Sequence, residues 1–230
     1  MSQNYAGTPS SNGSISALVL ESGSSLFDQF TGSHGVIPSG TIGSENLNFG
    51  FESGYISNYT LQGDVSSFPS DSVSFDVYGK VEQNNSVGEQ DNIGIKGIKS
   101  KDVHLSGTGK LEVEHIQSFS YSISTNWKPN YIAGNHFPVE VSQVDGYSLV
   151  LDVNLIARET QIQAIYDNFN RATENGVDLS IVLGECLDSP LTYKVPKAQM
   201  DAENLSAGEG GFLNGTVRFI TYFEDLEDLA

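Results

Sequence analysis

Apolar and polar residues alternate with a period of two along much of this chain. Over 72–82, Val73, Phe75, Val77 and Val81 alternate with Ser74, Asp76, Tyr78 and Lys80, the pattern of a strand with one buried face. The stretch 111–124 repeats it, with Phe119, Tyr121 and Ile123 on one side and Ser118, Ser120, Ser122 and Ser124 on the other. Residues 139–157 read as a short strand, a turn at Gly146 and a long strand. On that long strand Tyr147, Leu149, Leu151, Val153 and Leu155 share a side, opposite Asp152 and Asn154. Further strands are predicted at 177–184 and 215–223. One segment, 159–174, has helical spacing: Ile162, Ile165, Tyr166 and Phe169 fall at i, i+3, i+4 and i+7. Glu159 suits its first turn and Asn175-Gly176 its end, and its apolar face is expected to lie on a sheet.

Between these elements the pattern breaks down. Residues 1–14, rich in Ser, Gly and Asn, are expected to form a flexible N-terminal arm. An apolar cluster follows at 15–30, then a Gly-rich irregular stretch at 31–54. Residues 83–110 show almost no periodicity and predict a long loop or hairpin. They hold three of the eleven cations within six residues, Lys96, Lys99 and Lys101. On an acidic chain such a patch is expected to reach a neighbouring subunit. Residues 126–138 read as a connector, and the chain closes in an acidic tail. The expected fold class is mainly β: two packed antiparallel sheets, sandwich- or barrel-like, with one flanking helix. Residues 15–230 are expected to form one β domain.

Composition sharpens this picture. The 24 glycines suit an all-β chain with many turns. Eleven Lys and Arg against 29 Asp and Glu give a net charge of −18. That balance argues against a grip on nucleic acid, which needs clustered cations, and against docking on an anionic membrane. Only 17% of residues are charged, fewer than in most soluble domains, which suggests that much of the surface meets protein. The lone Cys186 forbids an internal disulfide. No signal peptide is evident, and no stretch is long and apolar enough to span a bilayer. Five N-glycosylation sequons, at Asn12, Asn58, Asn84, Asn204 and Asn214, then read as chance matches.

Candidate chemistry is sparse. Glu112, Glu114 and His115 are the closest cluster of ligand types, but on a strand the two glutamates and the histidine point to opposite sides. Cys186 has no histidine within fifty residues that opens a helix, and reads as a buried small hydrophobe. Gly107-Thr108-Gly109-Lys110 matches the end of a phosphate loop, yet it precedes a strand instead of a helix. With Trp127 as the sole tryptophan, a sugar-binding platform has little to build on. No catalytic residue, metal site, cofactor or enzymatic activity is expected.

Two groups of residues carry a resemblance. In the second half, His115-Ile-Gln-Ser-Phe-Ser-Tyr-Ser-Ile leads through Asn126–Asn130 into Tyr131-Ile-Ala-Gly and Phe137-Pro-Val-Glu-Val. In the first half, Gly54-Tyr-Ile-Ser-Asn-Tyr-Thr-Leu-Gln-Gly-Asp-Val precedes Phe68-Pro and Ser72-Val-Ser-Phe. Together with Tyr193–Val195, Pro196, Ala207–Gly211 and a strand with Phe219, these segments resemble the tail tube proteins of long-tailed bacteriophages over about residues 55–225. The long stretches 31–54 and 83–110 would be additions to that core.

The resemblance implies a structural virion subunit that closes six-membered rings. Their inner sheets join into one barrel, and the rings stack into the channel for DNA ejection. It also implies the partners of such a tube: further copies of itself, a tape measure protein, baseplate or tail-tip and terminator proteins, with or without a sheath. DNA would pass without specific binding. Assembly in the host cytoplasm and residence in the virion follow, with no membrane anchor. On this reading Ser74, Asp76, Ser120, Ser122, Asp152 and Asn154, opposite the apolar alternation, are candidates for a polar, net-negative lumen wall. Alternatives are another acidic β-rich virion component, such as a capsid decoration or tail-completion protein, and a carbohydrate-binding β-sandwich.

Overall fold

The computed structural model of the chain describes residues 10–19, 26–44, 47–84, 103–107, 111–113, 116–158, 160, 163, 176–184, 190–207 and 212–229. These form fourteen strands, one α-helix and a closing 3₁₀ turn, so the protein is mainly β. The first elements are β1 (Ser11–Leu18), α1 (Leu26–Gly32), β2 (Val36–Ile37), β3 (Gly40–Ser44), β4 (Leu47–Phe51), β5 (Gly54–Asp64), β6 (Ser70–Val77) and β7 (Val81–Asn84). Then follow β8 (Val103–Gly107), β9 (Leu111–Val113), β10 (Ile116–Asn130), β11 (Glu140–Arg158), β12 (Val177–Leu183), β13 (Leu191–Ala207), β14 (Phe212–Phe223) and the 3₁₀ turn Leu226–Leu229.

Two antiparallel sheets result. One has eleven strands in the order β1-β6-β5-β10-β11-β14-β13-β12-β8-β9, with β2 beside β5; the other is β3-β4-β7. The large sheet divides at β13. Residues 191–198 of that strand pair with β12, while 199–207 pair with β14. Pro196 and Lys197, the latter at φ 50°, mark the change. A broad limb of seven strands therefore faces a shorter limb of four.

The core lies between the limbs. Tyr59, Leu61, Val73, Phe75, Tyr121, Ile123, Leu149, Leu151, Val153 and Phe219 of the broad limb are buried against Leu105, Ile181, Leu183, Tyr193 and Val195 of the short one. Each such side chain contributes roughly 1.5–3 kcal/mol by leaving water. The Tyr121 hydroxyl donates to the Lys194 carbonyl at 2.9 Å and links the limbs. The α1 helix closes one side of this layer. Phe27 contacts the rings of Tyr59, Tyr121 and Tyr193, and Phe30 stacks on Tyr59. The buried Asp71 accepts a hydrogen bond at 3.1 Å from the Leu26 amide, one of the free N–H groups at the start of α1. Burial raises the pKa of Asp71 above the usual carboxylate value, and this hydrogen bond opposes the rise only in part.

Several sequence expectations are corrected. Residues 11–14 of the expected arm belong to β1, where they pair with β6; residues 1–9 lie outside the described residues. The Gly-rich stretch 31–54 supplies part of α1 and the strands β2, β3 and β4. The strand expected over 72–82 ends at Val77, and after a break around Gly79 the chain joins the other sheet as β7. The expected connector at 126–130 continues β10. Gly146 does not turn the chain: Asp145 and Gly146, both at positive φ, bulge out of β11 while its pairing with β10 continues on either side. Within 83–110, Val103–Gly107 is a sheet strand paired with β12 and β9. Residues 85–102, with Lys96, Lys99 and Lys101, lie outside the described residues. The acidic tail buries Leu226 and Leu229.

The α-helix among the described residues is α1 at 26–32, overlapping the apolar cluster 15–30. Of the predicted helix 159–174, Thr160 and Gln163 are described and helical, while Ile162, Ile165, Tyr166 and Phe169 lie outside the described residues.

Candidate functional site: the polar face of the broad limb

Strand alternation that buries the apolar side chains turns their neighbours onto the opposite face. Because all seven strands are in register, those neighbours line up across the sheet. One row runs Ser14, Ser74, Asn58, Ser124, Ser148 and Tyr222 over β1, β6, β5, β10, β11 and β14. The next is Ser16, Ser72, Thr60, Ser122, Val150 and Ile220. A third is Leu18, Ser70, Gln62, Ser120, Asp152 and Arg218. A fourth, from β5 to β13, is Asp64, Ser118, Asn154, Thr216 and Asn204. None of these side chains is buried. A bulge between Ile56 and Asn58 sets Asp76 opposite Tyr55 at the margin, beside Asn12 of β1.

All six lumen-wall candidates thus lie on one face of one sheet. They are tied to residues that the sequence reading did not single out as wall residues. Asn154 donates to the Ser118 hydroxyl at 2.7 Å and accepts from the Thr216 hydroxyl at 2.5 Å. Thr60 donates to Asn58 at 2.7 Å, and Asn58 reaches Ser122 at 3.4 Å. Arg218 grips Asp152 with two hydrogen bonds, at 2.7 and 3.0 Å, which raise the guanidinium pKa further. At the edge, Asp64 accepts from the Ser66 amide and hydroxyl at 2.7 and 2.6 Å, which lowers its pKa. A depression of about 350 Å³ lies between Gln62, Asp64, Ser70, Ser120 and Asp152.

The expected charge needs one correction. Asp152 does not present a free carboxylate, because Arg218 neutralises it. Across these rows and their margin stand three carboxylates, Asp64, Asp76 and Asp152, against one guanidinium, Arg218. These rows are mildly negative, and their polarity comes mostly from hydroxyls and amides, several of which hydrogen-bond to one another along the sheet.

Among the described residues, no three His, Cys, Asp or Glu side chains approach closely enough to hold a metal ion. Glu114, His115 and Cys186 lie outside the described residues, and of Glu112 only the backbone is described. Among the described residues no helix is long and apolar enough to cross a membrane. No protein-family model matches the sequence, and no curated protein matches it significantly.

Part of the missed surface is readable in the sequence. Asn58, Thr60, Gln62 and Asp64 alternate with Tyr59, Leu61 and Gly63, and Thr216 and Arg218 alternate with Val217 and Phe219. The Asp152–Arg218 pair is not readable, since it depends on the register of β11 against β14, which joins residues 66 apart.

Proposed function

We propose that this chain is the structural subunit of a bacteriophage tail tube, in which six copies close a ring and stacked rings form the channel for DNA ejection. In this reading the polar face of the broad limb lines the channel. The observation that carries it is the breadth and composition of that face: seven strands wide, without a covering layer among the described residues, and surfaced mainly by short hydroxyl and amide side chains, with Leu18, Val150, Ile220 and Tyr222 among them.

Physical reasons connect such a wall to DNA passage. Free cations would bind phosphates by releasing counterions and would retard a sliding duplex. The cation in the rows, Arg218, is occupied by Asp152. Asn154, Thr216 and Thr60 each donate a hydrogen bond within the sheet, which leaves fewer donors for a passing base or phosphate. Residual carboxylates repel DNA only within a screening length of about 8 Å at physiological salt.

The test is electron microscopy of the concentrated protein with sedimentation over a range of concentrations. Six-fold rings and tubes are expected. A chain that stays monomeric at every concentration and salt overturns the proposal.

A further inference from the structure

Among the described residues the broad limb has two open edges. The β1 strand pairs with β6 on one side, and residues 199–207 of β13 pair with β14 on one side. Among the described residues no strand pairs with either on its other side. Backbone N–H and C=O groups along such an edge are a template for another strand, and proteins usually guard it with charge, proline or a very short strand. The β1 strand has none of these guards: its eight residues, SNGSISAL, include no charge and no proline. The core is also left open there. On the core side of β1, Ile15 is 41% exposed, and with Leu26, Ile37 and Val73 it lines an apolar depression of about 150 Å³.

We infer that β1 of one copy pairs, in parallel, with residues 199–207 of β13 in the next copy, and that this seam closes the ring; the inference rests on the tube reading above. The direction follows from counting. Six successive antiparallel steps lead from β1 to β13, so the two edge strands run the same way. Rotation about a ring axis preserves strand direction, so the β13 edge of one copy meets the β1 edge of the next in parallel. The alternative, β1 against β1 about a two-fold axis, is antiparallel, stops at a dimer and leaves the β13 edge bare. The parallel seam uses both edges and carries the polar face from Ser14 and Ser16 on one copy to Asn204 and Ser206 on its neighbour.

Disulfide mapping in a Cys186→Ser background tests this. Ser14→Cys and Ser16→Cys are each combined with Gln199→Cys, Asn204→Cys or Ser206→Cys, and assembled protein is oxidised. The expected result is covalent multimers beyond the dimer, which every single-cysteine variant lacks. The pattern should be parallel: advancing the β1 cysteine by two residues moves its best β13 partner toward the C-terminus. Movement of that partner toward the N-terminus overturns the seam. So do dimers from Ser14→Cys alone, or rings that form without any β1–β13 cross-link. Absence of rings by microscopy overturns the tube reading itself.

Discussion

Replacing Tyr121 with Phe isolates the contact that ties the two limbs together. Tyr121 is fully buried, and its hydroxyl donates to the Lys194 carbonyl at 2.9 Å. Its ring also meets Phe27, Tyr59 and Tyr193 at centroid distances of 6.2, 6.4 and 5.8 Å. Phenylalanine keeps those ring contacts and removes only the donor. A typical intramolecular hydrogen bond contributes about 0.5–1.5 kcal/mol net, and an acceptor stranded in a dry interior adds to the cost. The expected loss is therefore about 1–2 kcal/mol, equivalent to a drop in Tm of roughly 2–8 °C for a chain of this size. Tyr121→Ala removes the ring as well and should cost about 3–5 kcal/mol, the range for deleting a buried aromatic side chain. Urea unfolding of the purified chain measures both, with unchanged m-values showing that the unfolded state is the same. A loss below about 0.3 kcal/mol for Tyr121→Phe, or equal losses for the two variants, would refute the role assigned to the hydroxyl.

Three further perturbations probe the fold and the polar face. Asp71→Asn can still accept from the Leu26 amide but carries no charge, so it should be more stable than the parent at neutral pH. Because burial raises the folded-state pKa of Asp71, the folded chain takes up its proton first as pH falls, and that carboxylate's cost fades toward the ordinary value of about 3.8. The advantage of the variant should shrink over the same window, and a gap independent of pH in urea titrations would contradict this account. Gly63→Ala should destabilise by roughly 1–3 kcal/mol, since a Cβ there would sit 2.8 Å from the Phe119 ring; thermal melts of Gly63→Ala with and without Phe119→Leu should show partial recovery in the double variant. Asp152→Asn leaves Arg218 without its carboxylate, so assembled tubes of that variant should retain short duplex DNA in sedimentation at low salt and release it at high salt, whereas parent tubes retain none; equal behaviour of the two would remove the pair from any role in passage.

The strands that built the polar face were legible wherever a regular alternation ran uninterrupted, as from Ser118 to Ser124 and from Tyr147 to Leu155. There the period of two separates core from exposed face without knowledge of neighbours. Legibility failed where geometry depends on a remote partner. Gly40, Gly43 and Gly50 interrupt the pattern over β3 and β4, although Leu47, Phe49 and Phe51 do alternate with Asn48 and Gly50, and these strands hold because β3, β4 and β7 satisfy one another's backbones. The seven-residue α1 is too short to display helical periodicity, and it is held by Phe27 and Phe30 in the aromatic layer and by Asp71, 45 positions from Leu26. Gly146 reads as a turn because a bulge and a turn draw on the same positive φ. The pairing of Asp152 is hidden for a similar reason: it stands out as a free carboxylate until β14 brings Arg218 beside it.

A density map of the assembled protein tests the central claim most directly, since it shows which sheet face borders the channel. The account predicts a ring in which Ser120, Ser122, Asn154 and Thr216 face the lumen, with β5, β10, β11 and β14 forming its wall. Assemblies with those residues on the outer surface, or a channel bordered instead by β12 and β8, would contradict it.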